Sequence, residues 1–189
     1  VEVTPQHLTL NAPECYDELG AFAQMNPPIR EIRHQKGLWK GIKDGVVDVI
    51  GSDHAPHTIE EKNKTYPETP SGMPGVQTIV PIMLDHVNQG NLSLFKLCEL
   101  ISTNPARLYK VINKGEIKLN NDADLTIIDL NKEVKITNDM MATKSGWTPF
   151  NNKKVKGWPV MTIVNGNIVM RDGELIGSPK GKPVTFNRD

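Results

Sequence analysis

Residues 46–57, VVDVIGSDHAPH, decide how this chain folds and where its chemistry lies. The β-branched run Val46-Val47-Asp48-Val49-Ile50 predicts a buried strand over 46–50. Gly51 and Ser52 end it, and Asp53 follows, with His54 beside it and His57 beyond an Ala55-Pro56 bend. Ionisable groups at the end of a buried strand cost solvation energy unless they are paired or put to use. In α/β proteins, active groups gather at the rim where strands give way to loops. Asp53 faces that rim. Its carboxylate can cap or pair with a neighbour, or it can bind a cation and move a proton. His57 can turn back as a donor to an anion, or it can be a structural contact. His54 diverges from Asp53 in extended backbone and reads as a packed or hydrogen-bonded histidine.

Upstream, residues 33–43 predict a helix with Leu38, Trp39 and Ile42 on one side, closed by Gly45. A helix leading into a buried strand implies an α/β layer with a parallel sheet. Residues 1–10 read as an extended piece broken at Pro5, and 11–19 as a brief helix with Asn11 as N-cap and Pro13 in its first turn. Residues 22–25 read as a short strand that stops at Asn26-Pro27-Pro28, since consecutive prolines suit neither a helix interior nor a central strand. Asn26 is held in that stiff context. Its amide can read a donor and an acceptor on a substrate, or serve an ordinary turn. Arg30 can bind an anion or sit in a surface salt bridge, and His7 is ambiguous in the same way. His34 and His86 fall in expected helices as structural residues.

Residues 57–75 form a long polar loop, and loops of that length are usually functional or mobile. Within it, Ser71-Gly72-Met73-Pro74-Gly75 supplies backbone able to approach a ligand closely. Residues 76–87 have the apolar spacing of a buried helix. A helix over 93–101 with Ser93 as cap follows, then one over 105–111 capped by Thr103 or Asn104. The texture changes near Gly115. Strands are expected over 125–130, 134–136, 160–164, 167–170 and 174–176, with Asn165-Gly166 as a two-residue hairpin turn. A long excursion over 140–159, carrying Trp147 and Trp158, is expected to pack back against the first unit. The chain therefore divides into 1–115 and a β-rich unit over 116–189.

Composition narrows the function. The 189 residues carry 22 basic and 22 acidic side chains, so there is no basic excess of the kind a nucleic-acid surface needs. Lys153, Lys154 and Lys156 make only a short basic run, read as a solvated loop. Cys15 and Cys98 have no disulfide-framework or zinc-knuckle spacing and fit a reducing compartment. No stretch has the length and apolarity of a membrane span, and there is no signal-peptide start, so a cytoplasmic location is expected.

Several runs together resemble dihydroorotase, of the amidohydrolase superfamily of cyclic-amide hydrolases. They are Glu2-Val3-Thr4-Pro5-Gln6-His7-Leu8, Gln24-Met25-Asn26-Pro27-Pro28-Ile29-Arg30, Gly51-Ser52-Asp53-His54-Ala55-Pro56-His57, and Ser71-Gly72-Met73-Pro74-Gly75-Val76-Gln77-Thr78. Asn104-Pro105-Ala106-Arg107 and Asp122-Ala123-Asp124-Leu125 also fit, although allantoinase and dihydropyrimidinase share them. The resemblance implies the C-terminal part of a metal-dependent TIM barrel followed by a small β-sandwich portion. It implies reversible hydrolysis of dihydroorotate to carbamoyl-aspartate in pyrimidine biosynthesis, with zinc, as one or two divalent ions. By motif match Asp53 is a metal ligand and the base that takes a proton from bridging hydroxide and returns it to the leaving nitrogen. Asn26 contacts the pyrimidine ring, His57 binds the substrate carboxylate, and the backbone of Met73, Pro74 and Gly75 touches the ring's other edge.

The remaining ligands of such a site, a His-x-His pair among them, are expected upstream of Val1. The five histidines here include no His-x-His. The chain is thus expected to need an N-terminal portion, to be inactive alone, and to cover its open sheet edges with that portion or with further copies. Two other readings remain: an allantoinase or dihydropyrimidinase-like hydrolase, and a non-catalytic amidohydrolase-like assembly domain.

Overall fold

Two parallel strands frame the first half of the structure, a computed structural model describing residues 1–178 and 180–187. β1 (Glu2–Val3) lies beside β2 (Val49–Ile50), with Glu2 opposite Val49 and Val3 opposite Ile50. The expected strand over 46–50 is therefore short, and Val46 is exposed. Both strands run in the same direction, so the chain segments that leave them emerge on one rim.

Pro5 does not break an extended segment. It opens α1 (Pro5–Thr9), whose N-cap Thr4 accepts a hydrogen bond from the His7 amide. Proline suits that first position because its missing N–H has no helical partner there. α2 (Glu14–Leu19) forms without a side-chain cap, since Asn11 donates to the Glu14 carboxylate instead. The strand expected over 22–25 is replaced by a 3-10 turn, Gly20–Ala23, and an extended Gln24. The Gln24 carbonyl is taken by the Gly72 amide at 2.9 Å and the Lys62 ammonium at 3.1 Å, not by a neighbouring strand. α3 (Ile32–Lys43) follows. Its Ile42 is buried with Val3, Leu8, Val47 and Ile50, and Leu38 and Trp39 pack on the same cluster.

The long polar loop contains α4 (Ile59–Lys62), built on a reciprocal capping box between Thr58 and Glu61. α5 (Ile79–Asn88) starts three residues later than its apolar spacing suggests, leaving Val76 exposed. α6 (Leu94–Cys98), capped by Ser93, passes through a π turn, Glu99–Thr103, into α7 (Asn104–Leu108). Thr103 is itself helical and caps nothing. Pro105 has no N–H for the carbonyl four residues back. The wider turn carries the chain past it, with the Asn104 amide reaching Glu99 O.

The second half is a four-stranded antiparallel sheet in the order β3 (Leu125–Lys135), β4 (Lys154–Val164), β5 (Asn167–Arg171), β6 (Glu174–Leu175). Two expected strands are one, because β3 continues through a bulge between Asp129 and Glu133. There Asp129 accepts from the amides of Asn131 at 2.8 Å and Lys132 at 3.2 Å. Pro159 lies in β4 next to a second register shift, where a missing ladder donor is tolerated. The hairpin turns are as expected, with both Asn165 and Gly166 at positive φ.

The sheet docks on α5. Asn88 Nδ2 donates to Leu130 O at 3.1 Å and Lys156 O at 2.9 Å, and the Lys156 amide donates to Asp85. Gly157 permits this approach, since a Cβ there would lie 2.7 Å from the Leu84 Cβ. The excursion packs back as expected, although β4 takes up its last six residues. Gln77 bonds the backbone of Met140 and Ala142, and the Trp147 indole donates to His57 O at 2.8 Å. Among the described residues no helix is long and apolar enough to cross a membrane.

His86 is structural, as the sequence suggests. Its Nδ1 accepts from Asn91 at 2.9 Å, which leaves Nε2–H to donate to the Thr9 hydroxyl at 3.0 Å, and the ring meets Trp39 edge-on. Burial pushes its pKa down to about 4, against the pull of Asp85. Between that value and the ordinary 6.5 the unfolded chain holds more protons than the folded one. Stability should therefore fall as pH drops from 6.5 toward 4, by roughly 2–3 kcal/mol from this group. Urea melts of the wild type and His86→Gln across that range check it, and the variant should lose that part of the acid slope.

Candidate functional site

The rim above β1 and β2 carries the candidate residues. Val3 leads into Thr4 and His7 of α1, while Ile50 leads through Gly51 and Ser52 to Asp53. Asp53 adopts φ 43°, a left-handed conformation that a residue with a Cβ holds only at some cost. Its carbonyl accepts from the Ala55 amide at 2.9 Å, which closes the bend that turns the chain toward His57. The carboxylate is exposed and has no hydrogen-bond or ion-pair partner among the described residues.

Asp53 and Asn26 line one pocket of about 590 Å³, together with Glu2, Thr4, His7 and Arg30. His7 bridges the two sides of this wall. Its Nδ1 meets the Thr4 hydroxyl at 2.8 Å, and its Nε2 meets Pro27 O at 2.9 Å. Both ring nitrogens are thus engaged, and His7 fixes the segment that presents Asn26.

The other expected contacts lie beside that pocket. His57 Nε2 donates to Ser71 O at 3.1 Å, and its Nδ1 faces the Glu61 carboxylate at 3.6 Å. The Thr58 amide of the capping box and the His57 ring hold that carboxylate below the usual range. Met73 is fully buried, and its carbonyl accepts from Ala55 at 3.1 Å. Pro74 and Gly75 line a neighbouring pocket of about 280 Å³ with His54. His54 Nδ1 accepts from the amides of Gly75 at 3.1 Å and Val76 at 3.4 Å, a structural role. Arg30 lines the main pocket, and Asn104 Nδ2 binds Asp48 O at 2.8 Å, anchoring α7 under β2. In the Asp122-Ala123-Asp124 motif, Lys114 pairs with both carboxylates, and Asp124 also accepts from the Asn165 amide at 2.7 Å.

Lys62 was not legible as a site residue. It has no solvent exposure, and its ammonium donates to Pro70 O at 2.8 Å, Gln24 O at 3.1 Å and Gly72 O at 3.2 Å. It also lies 5.9 Å from the Trp147 ring centre. Burial pushes its pKa down to about 8, so the ammonium persists at neutral pH, with three donors for three acceptors. The spacing Thr58-x-x-Glu61 could have revealed the helix that carries it.

The donor set here does not make a metal site by itself. Among the described residues no three His, Cys, Asp or Glu side chains stand together to hold an ion. Asp53 brings one carboxylate, whereas a bound zinc takes three or four protein ligands.

Parallel strands, a rim aspartate at positive φ and loops converging beside it make an α/β wall. The amidohydrolase family matches residues 20–169, and the chain belongs to that family. It is 40% identical over 188 residues to a dihydroorotase from Pyrococcus abyssi, and 42% identical over 183 residues to one from Pyrococcus furiosus. These alignments cover 100% and 97% of this chain but 44% and 42% of those proteins, so the chain spans under half the length of the relatives it matches. Among solved structures it superposes on an L-hydantoinase (dihydropyrimidinase) from Arthrobacter aurescens with a TM-score of 0.89 and 32% identity, over 93% of this chain and 40% of that one.

The contact between the 52–57 bend and the 71–75 loop depends on glycine. A Cβ on Gly75 would stand 2.3 Å from Ser52 O, and one on Gly72, at φ +137°, would stand 2.6 Å from Ala55 O. Gly75→Ala should therefore destabilise the fold by about 1–3 kcal/mol, because backbone must move to admit the methyl. Denaturant melts measure the loss, and hydrogen exchange should localise it to residues 52–57 and 71–76.

Proposed function

We propose that this chain is the portion of a dihydroorotase that carries the proton-transfer aspartate and one side of the substrate pocket. The observation that carries the reading is the placement of Asp53 and Asn26 on one pocket at the C-terminal ends of two parallel strands. The similarity to dihydroorotases along the whole chain supports it. In this reading residues 1–115 are the C-terminal part of a (β/α)8 barrel. Residues 116–189 are a small β-rich domain whose sheet forms part of a β-sandwich. The remaining barrel strands come from an N-terminal portion, which brings the other ligands of a divalent metal, zinc in the first instance. Homo-oligomers and a cytoplasmic location fit this assignment.

Asp53 takes a proton from the attacking water and returns it to the ring nitrogen as the cyclic amide opens to carbamoyl-aspartate. Its left-handed backbone and unpaired carboxylate suit a group kept available for a substrate. Asn26, fixed by the His7–Pro27 contact, offers its amide to the pyrimidine ring. His57 takes the substrate's carboxylate by exchanging its contact with Ser71 O or Glu61, and the Met73, Pro74 and Gly75 backbone completes the far edge.

The superposition on a hydantoinase favours a second reading, hydrolysis of an uncharged ring such as dihydrouracil or hydantoin. Assays of the complete polypeptide on dihydroorotate, dihydrouracil, hydantoin and allantoin separate the readings. Dihydroorotate should be preferred about 100-fold or more in kcat/KM. Asp53→Asn should lower kcat on the order of 10³-fold, and His57→Asn should act chiefly on the KM for dihydroorotate. Preference for an uncharged ring would establish the second reading. No turnover on any of the four would indicate an assembly domain. The 189-residue chain alone should not turn over dihydroorotate, and measurable turnover would contradict the proposed division of the site.

A further inference from the structure

The proposed proton transfer does not use Lys62, yet its environment is built around its charge. An apolar side chain would fill the same volume without the cost of burying an ammonium. The three carbonyls that receive it come from two segments, 24 and 70–72, that adjoin residues assigned to the substrate. Gln24 precedes Asn26 by two positions, Gly72 precedes Met73, and Pro70 begins the same loop. The helix that carries Lys62 is capped at Thr58, next to His57, and the Trp147 ring near the ammonium donates to His57 O at 2.8 Å. Phe22, two positions before Gln24, meets Trp147 edge-on with ring centres 5.0 Å apart.

We propose that Lys62 is a positioning residue for the substrate: its ammonium clamps Gln24 O, Pro70 O and Gly72 O and so holds Asn26, His57 and the 73–75 backbone in one binding geometry. Lys62 touches no substrate atom itself. Removing the ammonium leaves Pro70 O and Gly72 O without their donor. The 24–26 and 70–75 segments are then joined only by the Gly72 amide on Gln24 O and the Gln24 side chain on Ser71, a looser tie. The effect should appear in substrate affinity and leave the aspartate's proton transfer nearly intact. The kinetic consequence rests on the dihydroorotase reading, whereas the coupling of the 24–26 and 70–75 segments does not.

The test compares the complete polypeptide with its Lys62→Met, Lys62→Gln and Asn88→Ala variants. Asn88 lies at the α5–β4 contact, away from the pocket, and its variant controls for lost stability. Lys62→Met should raise the KM for dihydroorotate about tenfold or more with kcat within about threefold, while Asn88→Ala leaves KM unchanged. Amide exchange at 24–26 and 71–75 should quicken about tenfold in Lys62→Met, with the β3–β4 ladder unchanged. Unchanged KM together with unchanged local exchange would overturn the proposal, as would an equal rise in KM in Asn88→Ala. If Lys62→Met does not fold, Lys62→Gln carries the test, since its shorter neutral amide cannot donate to all three carbonyls. A raised KM and faster exchange at 24–26 and 71–75 then support the clamp, and wild-type values overturn it. If the wild type has no dihydroorotase turnover, the functional reading fails while the exchange comparison still decides the clamp.

Discussion

A buried ammonium ties together the segments around the candidate site. Lys62 is fully buried, so its charge must be met by fixed dipoles, and three carbonyls converge to supply them. That demand sets where the chain can pass. Segment 24–26 cannot drift from loop 70–73 without leaving the cation short of an acceptor. Gln24 O, which accepts from both Lys62 and the Gly72 amide, shows how the two are tied. Trp147 then fastens the same knot to His57 O from a distant part of the chain.

A second constraint operates at the rim. The β1–β2 pair is only two residues long on each side, so the ladder alone cannot position the segments that leave it. Side chains take over that task. His7 spans from Thr4 to Pro27 O, and the 71–75 loop lies against 52–57 at a distance that only glycine permits at Gly72 and Gly75. Behind this wall, α5 carries the four-stranded sheet through Asp85, Asn88 and the close approach at Gly157. In the proposed reading, such a wall offers a proton-transfer carboxylate on a surface whose backbone is already committed.

Much of this was legible in the sequence because the signals were local. A β-branched run ending in Gly-Ser-Asp marked the strand end, Asn165-Gly166 marked its hairpin, and the α3 stripe marked its buried face. Local signals also misled. Pro5 read as a break although it is a good first helical residue, and Thr103 read as a cap although a π turn carries the helix through Pro105. Residues 22–25 have the composition of a strand, but their carbonyl partners turned out to be a loop amide and a lysine. Lys62 was invisible for the same reason. A lysine in a polar stretch reads as solvated, and nothing nearby reveals that Gln24, 38 positions away, will supply an acceptor. Asp53 stood out as a candidate from its position just past the strand. Its left-handed backbone could only be seen in the fold.

The most direct measurement is a crystal structure of the complete polypeptide with carbamoyl-aspartate bound. The account predicts the ligand in the pocket lined by Asp53 and Asn26. Asp53 should lie within hydrogen-bonding reach of the reacting amide or its metal, His57 on a ligand carboxylate, and Lys62 still on its three carbonyls. A ligand seated elsewhere, with Asp53 turned to solvent, would contradict it.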